Sequence, residues 1–203
     1  MVKWLFFDLG STIIDEADCE AYRTASLLQQ VAPQSREEVV RSMVKFASSN
    51  KAAYKEAIEF YGLKAEPWPM HLEKLYPDAV YVLSELKKKY QLGIIANQNS
   101  GAMERLEKLG IDSYFTVVAA SGDIGVVKPD PAIFTYALEK ADCTAQESIM
   151  IGDRLDNDIE PASVIGMTTI WIKQGMGRLG NPELLLRKPD FTVNSLTELL
   201  SIL

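Results

Sequence analysis

Cysteine, histidine and surplus positive charge are all scarce in this chain, and each shortage narrows what it can be. Its two cysteines in 203 residues, Cys19 and Cys143, stand in dissimilar contexts. They show no metal-ligand spacing and read as free thiols of a reducing compartment. The formal net charge of −7 argues against nucleic acid or an anionic membrane as partner. An anionic substrate would therefore need a local cation or a metal. No apolar run is long enough for a signal peptide or a membrane span: VKWLFF is short and runs straight into Asp8. The simplest expectation is a cytoplasmic protein. No internal repeat or low-complexity tract is present. The one histidine, His71, sits between Met70 and Leu72 and reads as structural or exposed.

The chain does have enough apolar residues, 47% of the total, to bury one full core and a small accessory domain. The organising stretch is VKWLFFDLGSTIID, residues 2–15. Its almost unbroken apolar run predicts a strand buried on both faces, as in a parallel sheet covered by helices. From Asp15 to about Met70 the spacing turns helical, in three segments ending at Gly62 and followed by the stiff connector Glu66-Pro67-Trp68-Pro69. Hinge strands are expected near Ile14 and Trp68. Beyond it, a helix over 79–90 with Val80, Val82, Leu83 and Leu86 inward precedes strands at 92–96, 115–119, 148–151 and 168–172. These alternate with helices at 101–109, 131–140 and 158–165, and Lys87-Lys88-Lys89 closes a helix end, where the dipole favours cations. A long surface loop at 174–189, an edge strand at 191–193 and a helix at 196–203 complete the chain. This alternation implies an α/β fold, a doubly wound parallel sheet with a small helical cap. The expected division is a core of 1–14 and 72–203 and a cap of 15–71.

Three stretches carry chemistry. Asp8 ends the first strand, where ligand chemistry collects in open α/β sheets, although Asp before Gly and Ser is also ordinary turn chemistry. Ser148–Asp153 ends a second buried strand in Gly152-Asp153, and Asn157-Asp158 opens the next helix. Two carboxylates so placed are costly to hold together unless something cationic neutralises them. With Asp8 they would suit Mg²⁺, a hard ion preferring oxygen ligands; the alternative is a surface acidic turn with Asp158 as helix cap. Lys128, before the helix opened by Pro131, is either a solvated loop lysine or a fixed ammonium able to pair with Asp8 and a transferring phosphoryl group.

In order, these stretches resemble the four motifs of the haloacid dehalogenase superfamily, most of whose members are phosphohydrolases. Asp8 falls on the nucleophile of the first motif and Thr12 on its threonine, while Gly10 replaces the second aspartate, the usual general acid/base. LGIIANQNS, residues 92–100, occupies the second motif. Ala96 stands there in place of the phosphate-holding hydroxyl, leaving Asn97, Gln98 or backbone N–H groups as phosphate donors. Lys128-Pro129-Asp130-Pro131 with Phe134 resembles the third motif. Gly152-Asp153 with Asn157-Asp158 matches the fourth.

The resemblance implies a Mg²⁺-dependent phosphohydrolase of a small phosphorylated metabolite. Asp8 would attack phosphorus to give an aspartyl-phosphate. The Asp8 carboxylate, the Gly10 carbonyl and Asp153 would hold the metal, with Asp158 behind them. Lys128 would balance charge and the Thr12 hydroxyl would orient Asp8. Because Gly10 and Ala96 lack reactive side chains, slow turnover of alkyl phosphates is expected. The alternatives are a catalytically weak ligand- or partner-binding member of the fold, and a 2-haloacid dehalogenase working through Asp8 without metal. A receiver-type phosphoacceptor would not need the helical insertion. Tyr22, Arg23, Lys51, Tyr54 and Lys55 of the cap read as solvated or packing residues. A monomer or homodimer is expected.

Overall fold

Four successive buried residues, Trp4–Phe7, form strand β1 at the centre of the sheet. The computed structural model describes residues 1–203. The remaining strands are β2 (Ile14–Asp15), β3 (Lys74–Leu75), β4 (Gln91–Ala96), β5 (Val117–Ala120), β6 (Ser148–Gly152), β7 (Thr168–Ile172) and β8 (Phe191–Val193). Six of them make one sheet in the order β5-β4-β1-β6-β7-β8, with every pairing parallel. The chain fills one side of β1, then returns to fill the other. The strand order thus reverses at β1, and a crevice opens outside its carboxyl end. Asp8 is the first residue beyond that end.

Alternate residues of a strand point to opposite faces. Leu5 and Phe7 join a core with Ile94, Ile149, Ile151 and Ile170 on one side. Trp4 and Phe6, stacked with ring centroids 5.5 Å apart, join Ile95, Met150, Ile133 and Phe134 on the other. Each such side chain, fully buried, contributes about 1.5–3 kcal/mol. Burial on both faces is the physical reason the run is unbroken rather than alternating.

The helices are α1 (Ala17–Gln29), α2 (Arg36–Ser48), α3 (Ala53–Tyr61), α4 (Ala79–Leu86), α5 (Ala102–Lys108), α6 (Ser121–Ile124), α7 (Pro131–Lys140), α8 (Glu160–Val164) and α9 (Leu196–Leu199). The second and third share a small core of Val39, Met43, Ala47, Ala53 and Ala57, separate from the two sheet cores. Gly62 ends α3 at φ +62°, a left-handed conformation that glycine adopts without strain.

Several expectations shift. The second hinge strand is Lys74–Leu75, not the neighbourhood of Trp68: β2 and β3 pair antiparallel, Ile14 with Leu75 and Asp15 with Lys74. Two-residue strands are too short to leave an alternation in sequence. Val80 is 47% exposed, because Ala79, Val82, Leu83 and Leu86 complete the buried stripe at helical spacing. The fourth-motif helix opens with a wide π turn, Leu155–Ile159, before α8. The terminal helix is only Leu196–Leu199. The loop at 174–189 holds two short 3₁₀ turns, Met176–Leu179 and Pro182–Leu184. Far from being merely a surface loop, it seats the helical layer. Met176 and Leu179 pack on the α2–α3 core. Asn50 accepts from the Asn181 N–H at 2.7 Å and donates to its carbonyl at 2.9 Å.

Candidate active site

The parallel pairing that builds β1 also places its last carboxylate. The Asp8 N–H donates to the Ile151 carbonyl at 2.9 Å, one step beyond the β1–β6 ladder. Its side chain therefore stands over the carboxyl ends of both strands. Lys128 comes to it from the loop before α7 and is 4% exposed. All three of its ammonium donors are used: Asp8 Oδ1 at 2.6 Å, Asp158 Oδ1 at 2.5 Å and the Ile95 carbonyl at 2.9 Å. Burial works against this charge, but Asp158 and Asp8 outweigh it and hold the ammonium above its ordinary pKa.

Asp153 and Asp158 arrive from the end of β6 and the π turn behind it. Carboxylate oxygens of Asp8, Asp153 and Asp158 lie within 4.8 Å of one another. A Cβ at position 152 would stand 2.5 Å from the Asp158 carboxylate, so the approach of that side chain requires Gly152. The second Asp158 oxygen accepts the Arg154 N–H at 3.0 Å, and Trp171 Nε1 donates to the Asp153 carbonyl at 2.8 Å.

Charge in this cluster is not balanced by protein groups. Burial, opposed by Lys128, pushes Asp8 up to about 6. Burial, followed by the charges of Asp158 and Asp8, pushes Asp153 well above the carboxylate range. Three buried carboxylates facing one ammonium fit a hard divalent cation with oxygen ligands.

Other expected residues take different places. Asn97 uses its carboxamide on the Lys128 loop: Oδ1 accepts the Lys128 N–H at 2.7 Å, and one Nδ2 hydrogen is donated to the Lys128 carbonyl at 3.0 Å. The Gln98 N–H is bound by Ser121 Oγ at 3.0 Å, while its side chain lines the cavity above Asp8. Thr12 is fully buried, and its hydroxyl has no hydrogen-bond partner. Ala96 is buried at the end of β4 and brings no hydroxyl. His71 is exposed.

Two groups at and on α1 take unexpected places: Glu16, which the sequence did not single out, and Arg23, which it read as a solvated or packing residue. Glu16, at the head of α1, folds back over the first motif: a Cβ built on Gly10 would lie 2.5 Å and 2.7 Å from its two carboxylate oxygens. Ser11 Oγ donates to it at 3.3 Å, and Arg105 Nη2 stands 3.7 Å away. Arg105 is itself gripped by Glu73 through both Nε and Nη2. Burial, then the charge of Asp8, pushes Glu16 up to about 8. Arg23 of α1 lies over the Tyr54 ring at 3.6 Å and near Trp68 at 5.1 Å. Its Nε is buried with no hydrogen-bond partner. A cavity of about 680 Å³ lies between helices α1–α3 and the carboxyl edge of the sheet and is lined by Asp8, Glu16, Arg23, Lys128 and Asp153.

Comparison with known proteins agrees with this architecture. Residues 5–172 match the family model described as haloacid dehalogenase-like hydrolase. The chain is 30% identical over 209 aligned residues to a glyceraldehyde 3-phosphate phosphatase of Pyrococcus abyssi, covering 86% of this chain and 83% of that protein. Among solved structures, a HAD phosphatase from Thermococcus onnurineus superposes with a TM-score of 0.67 at 24% identity, covering 99% and 97% of the two chains. A 2-haloacid dehalogenase from Pseudomonas syringae pv. Tomato superposes with a TM-score of 0.65 at 23% identity, covering 100% and 98%. Those two likenesses speak to fold alone. With four motifs, the parallel sheet and the family match in agreement, the chain belongs to the haloacid dehalogenase-like hydrolases.

Proposed function

We propose that this chain is a Mg²⁺-dependent phosphohydrolase of a small phosphorylated metabolite, working through an aspartyl-phosphate on Asp8. The observation that carries the reading is the buried cluster of Asp8, Asp153 and Asp158 around one lysine at the floor of a cavity. The phosphatase relative supports it. Asp8 attacks phosphorus in line, the ester oxygen leaves, and water then hydrolyses the aspartyl-phosphate. Lys128 keeps Asp8 oriented and offsets the charge gathering on the phosphoryl oxygens. The metal would be held by Asp8, the Gly10 carbonyl and Asp153, with Asp158 behind, and would supply the positive charge that three carboxylates and a phosphate require. Gln98 and backbone N–H groups beyond β4 are the phosphate donors in this reading. Thr12, fully buried with its hydroxyl unpartnered, packs the first motif in this reading rather than orienting Asp8.

Residues 15–71 act as a cap that roofs the cavity, excludes water and selects the substrate, hinged on the β2–β3 ribbon. Arg23 lines that cavity, and its guanidinium charge suits a substrate carrying a second anionic group beside its phosphate.

A panel of phosphorylated metabolites assayed with and without Mg²⁺ tests the reading, with Asp8→Asn as control. Turnover is expected with Mg²⁺ only and in the wild type only. Asp8→Asn retaining wild-type turnover would overturn it. The dehalogenase reading shares Asp8 and is compatible with Gly10, but it gives three clustered carboxylates no purpose. Metal-independent halide release from 2-chloropropionate would move the assignment there.

A further inference from the structure

We propose that Glu16 is the general acid and base of the reaction, supplying from the head of α1 the carboxyl group that Gly10 lacks. The inference rests on the phosphohydrolase reading and names the residue that moves its protons.

The geometry carries it. The Glu16 oxygens lie 2.5 Å and 2.7 Å from where a Cβ on residue 10 would be. Those are about the separations at which an aspartate holds its own carboxylate oxygens from its Cβ. A carboxylate thus occupies the space of the missing side chain, having entered it from six residues further along. The two positions depend on each other: any side chain at residue 10 would collide with Glu16, so Gly10 is what lets the glutamate in.

Glu16 is also fixed and available. Ser11 Oγ donates to one oxygen. Arg105 lies 3.7 Å from the other, but its closer and doubly bonded partner is Glu73. Arg105 thus pairs first with Glu73 and at longer range with Glu16, which lines the cavity that also exposes Asp8. Its side chain is 14% accessible, enough to present one edge to a bound ester. In the chain it lies between β2 and α1, next to the first motif that ends in β2.

The protons balance over one cycle. As Asp8 forms a bond to phosphorus, the bond from phosphorus to the ester oxygen breaks, and Glu16 gives its proton to that departing oxygen. Water then attacks the phosphorus of the aspartyl-phosphate and loses a proton to the Glu16 carboxylate. The bond to Asp8 breaks and returns it as a carboxylate, with Glu16 protonated again. The expectation of slow alkyl phosphate turnover, drawn from Gly10 alone, does not hold on this reading.

The test uses the full chain with Mg²⁺, glycerol 2-phosphate as an alkyl ester and p-nitrophenyl phosphate as an aryl ester. Glu16→Gln is expected to lower kcat/KM about 10²–10⁴-fold on the alkyl ester and less than about tenfold on the aryl one, whose leaving group needs no proton. On the aryl ester kcat should fall as well, with a burst of p-nitrophenol as phosphoenzyme accumulates. The exchange variant Gly10→Asp/Glu16→Ala, which returns the carboxyl group to residue 10, should recover alkyl turnover. Equal losses on both esters with no burst would show that Glu16 only braces the fold. An exchange variant that folds and hydrolyses the aryl ester alone overturns the proposal even if Glu16→Gln is unstable. So does a wild type active only on the aryl ester. If Asp8-dependent phosphoenzyme forms but Glu16→Gln behaves as wild type, only the role of Glu16 falls. If the wild type hydrolyses neither ester, the phosphohydrolase reading falls and takes Glu16 with it.

Discussion

Asn97 holds Lys128 by both of its backbone groups, accepting from its N–H at 2.7 Å and donating to its carbonyl at 3.0 Å. One carboxamide beyond β4 thereby fixes the loop that carries the ammonium to Asp8. Asn97→Ala removes two hydrogen bonds, each worth about 0.5–1.5 kcal/mol net. Asn97→Asp keeps the acceptor and loses the donor. We expect kcat to fall in the order wild type, Asp, Ala with KM little changed, because residue 97 acts through Lys128 and not on substrate. A rise in KM with kcat unchanged would place the Asn97 carboxamide on the phosphate after all.

Lys128 is the only cation bonded to Asp8 and Asp158, and all three groups are buried. Removing one partner of such a pair leaves uncompensated charge and costs about 3–5 kcal/mol. Lys128→Met should therefore unfold at lower denaturant concentration, and Mg²⁺ should restore part of the loss by supplying charge to the same carboxylates. Denaturant melts with Mg²⁺ and with EDTA check this. An unchanged midpoint in EDTA would mean that the ammonium contributes nothing net to the fold.

Arg23 rests on Tyr54 and Trp68 with its Nε unpartnered. Buried guanidinium–aromatic contacts are worth up to about 2 kcal/mol, so the rings hold the group ready rather than neutralise it. Arg23→Met is expected to raise KM about 10-fold or more for substrates with a second anionic group, at the value of a charge-assisted hydrogen bond. For p-nitrophenyl phosphate, which has no such group, KM should not move. Equal effects on both would remove Arg23 from substrate selection.

How legible this was depends on what each residue owes to its neighbours in sequence. Strands β1, β4, β6 and β7 could be read because burial on both faces keeps their central residues apolar, with polar ones such as Gln91, Ser148 and Thr168 at their starts. Asp8, Asp153 and Lys128 could be read because each stands where such a strand, or the loop before a proline-opened helix, meets the crevice. Glu16 could not be: in the sequence it is one acid among Asp15, Glu16 and Asp18. Its place over Gly10 arises only when residues 11–15 turn back, with Ser11 at φ +53°. The β2–β3 ribbon is two residues long and stabilised by a partner some sixty positions away. Asn97 lay in the right motif, but which atoms its carboxamide meets depends on the approach of the Lys128 loop, a long-range contact with no local signature.

The titration of Glu16 gives the last prediction. Its pKa in the fold is about 8 against an ordinary 4.5, raised by burial first and then by Asp8, with Arg105 opposing and Glu20 and Glu73 adding to the rise. Between these two values the folded protein keeps a proton that the unfolded chain has released. Stability must therefore fall as pH rises from about 4.5 to about 8, and is unaffected by this group below that window. Asp8, raised to about 6, and Asp153, raised further above its ordinary range, slope the same way. Glu16→Gln is neutral throughout, removing the Glu16 contribution and the share of the Asp153 rise that the Glu16 charge adds. Denaturant melts in EDTA at pH about 5, 6.5 and 8 should show the wild type losing stability with pH and Glu16→Gln losing less. The gap between them should widen steadily from about pH 5 and level off toward about pH 8. Parallel slopes for the two proteins would mean that Glu16 is ionised in the folded state at neutral pH, held there by Arg105.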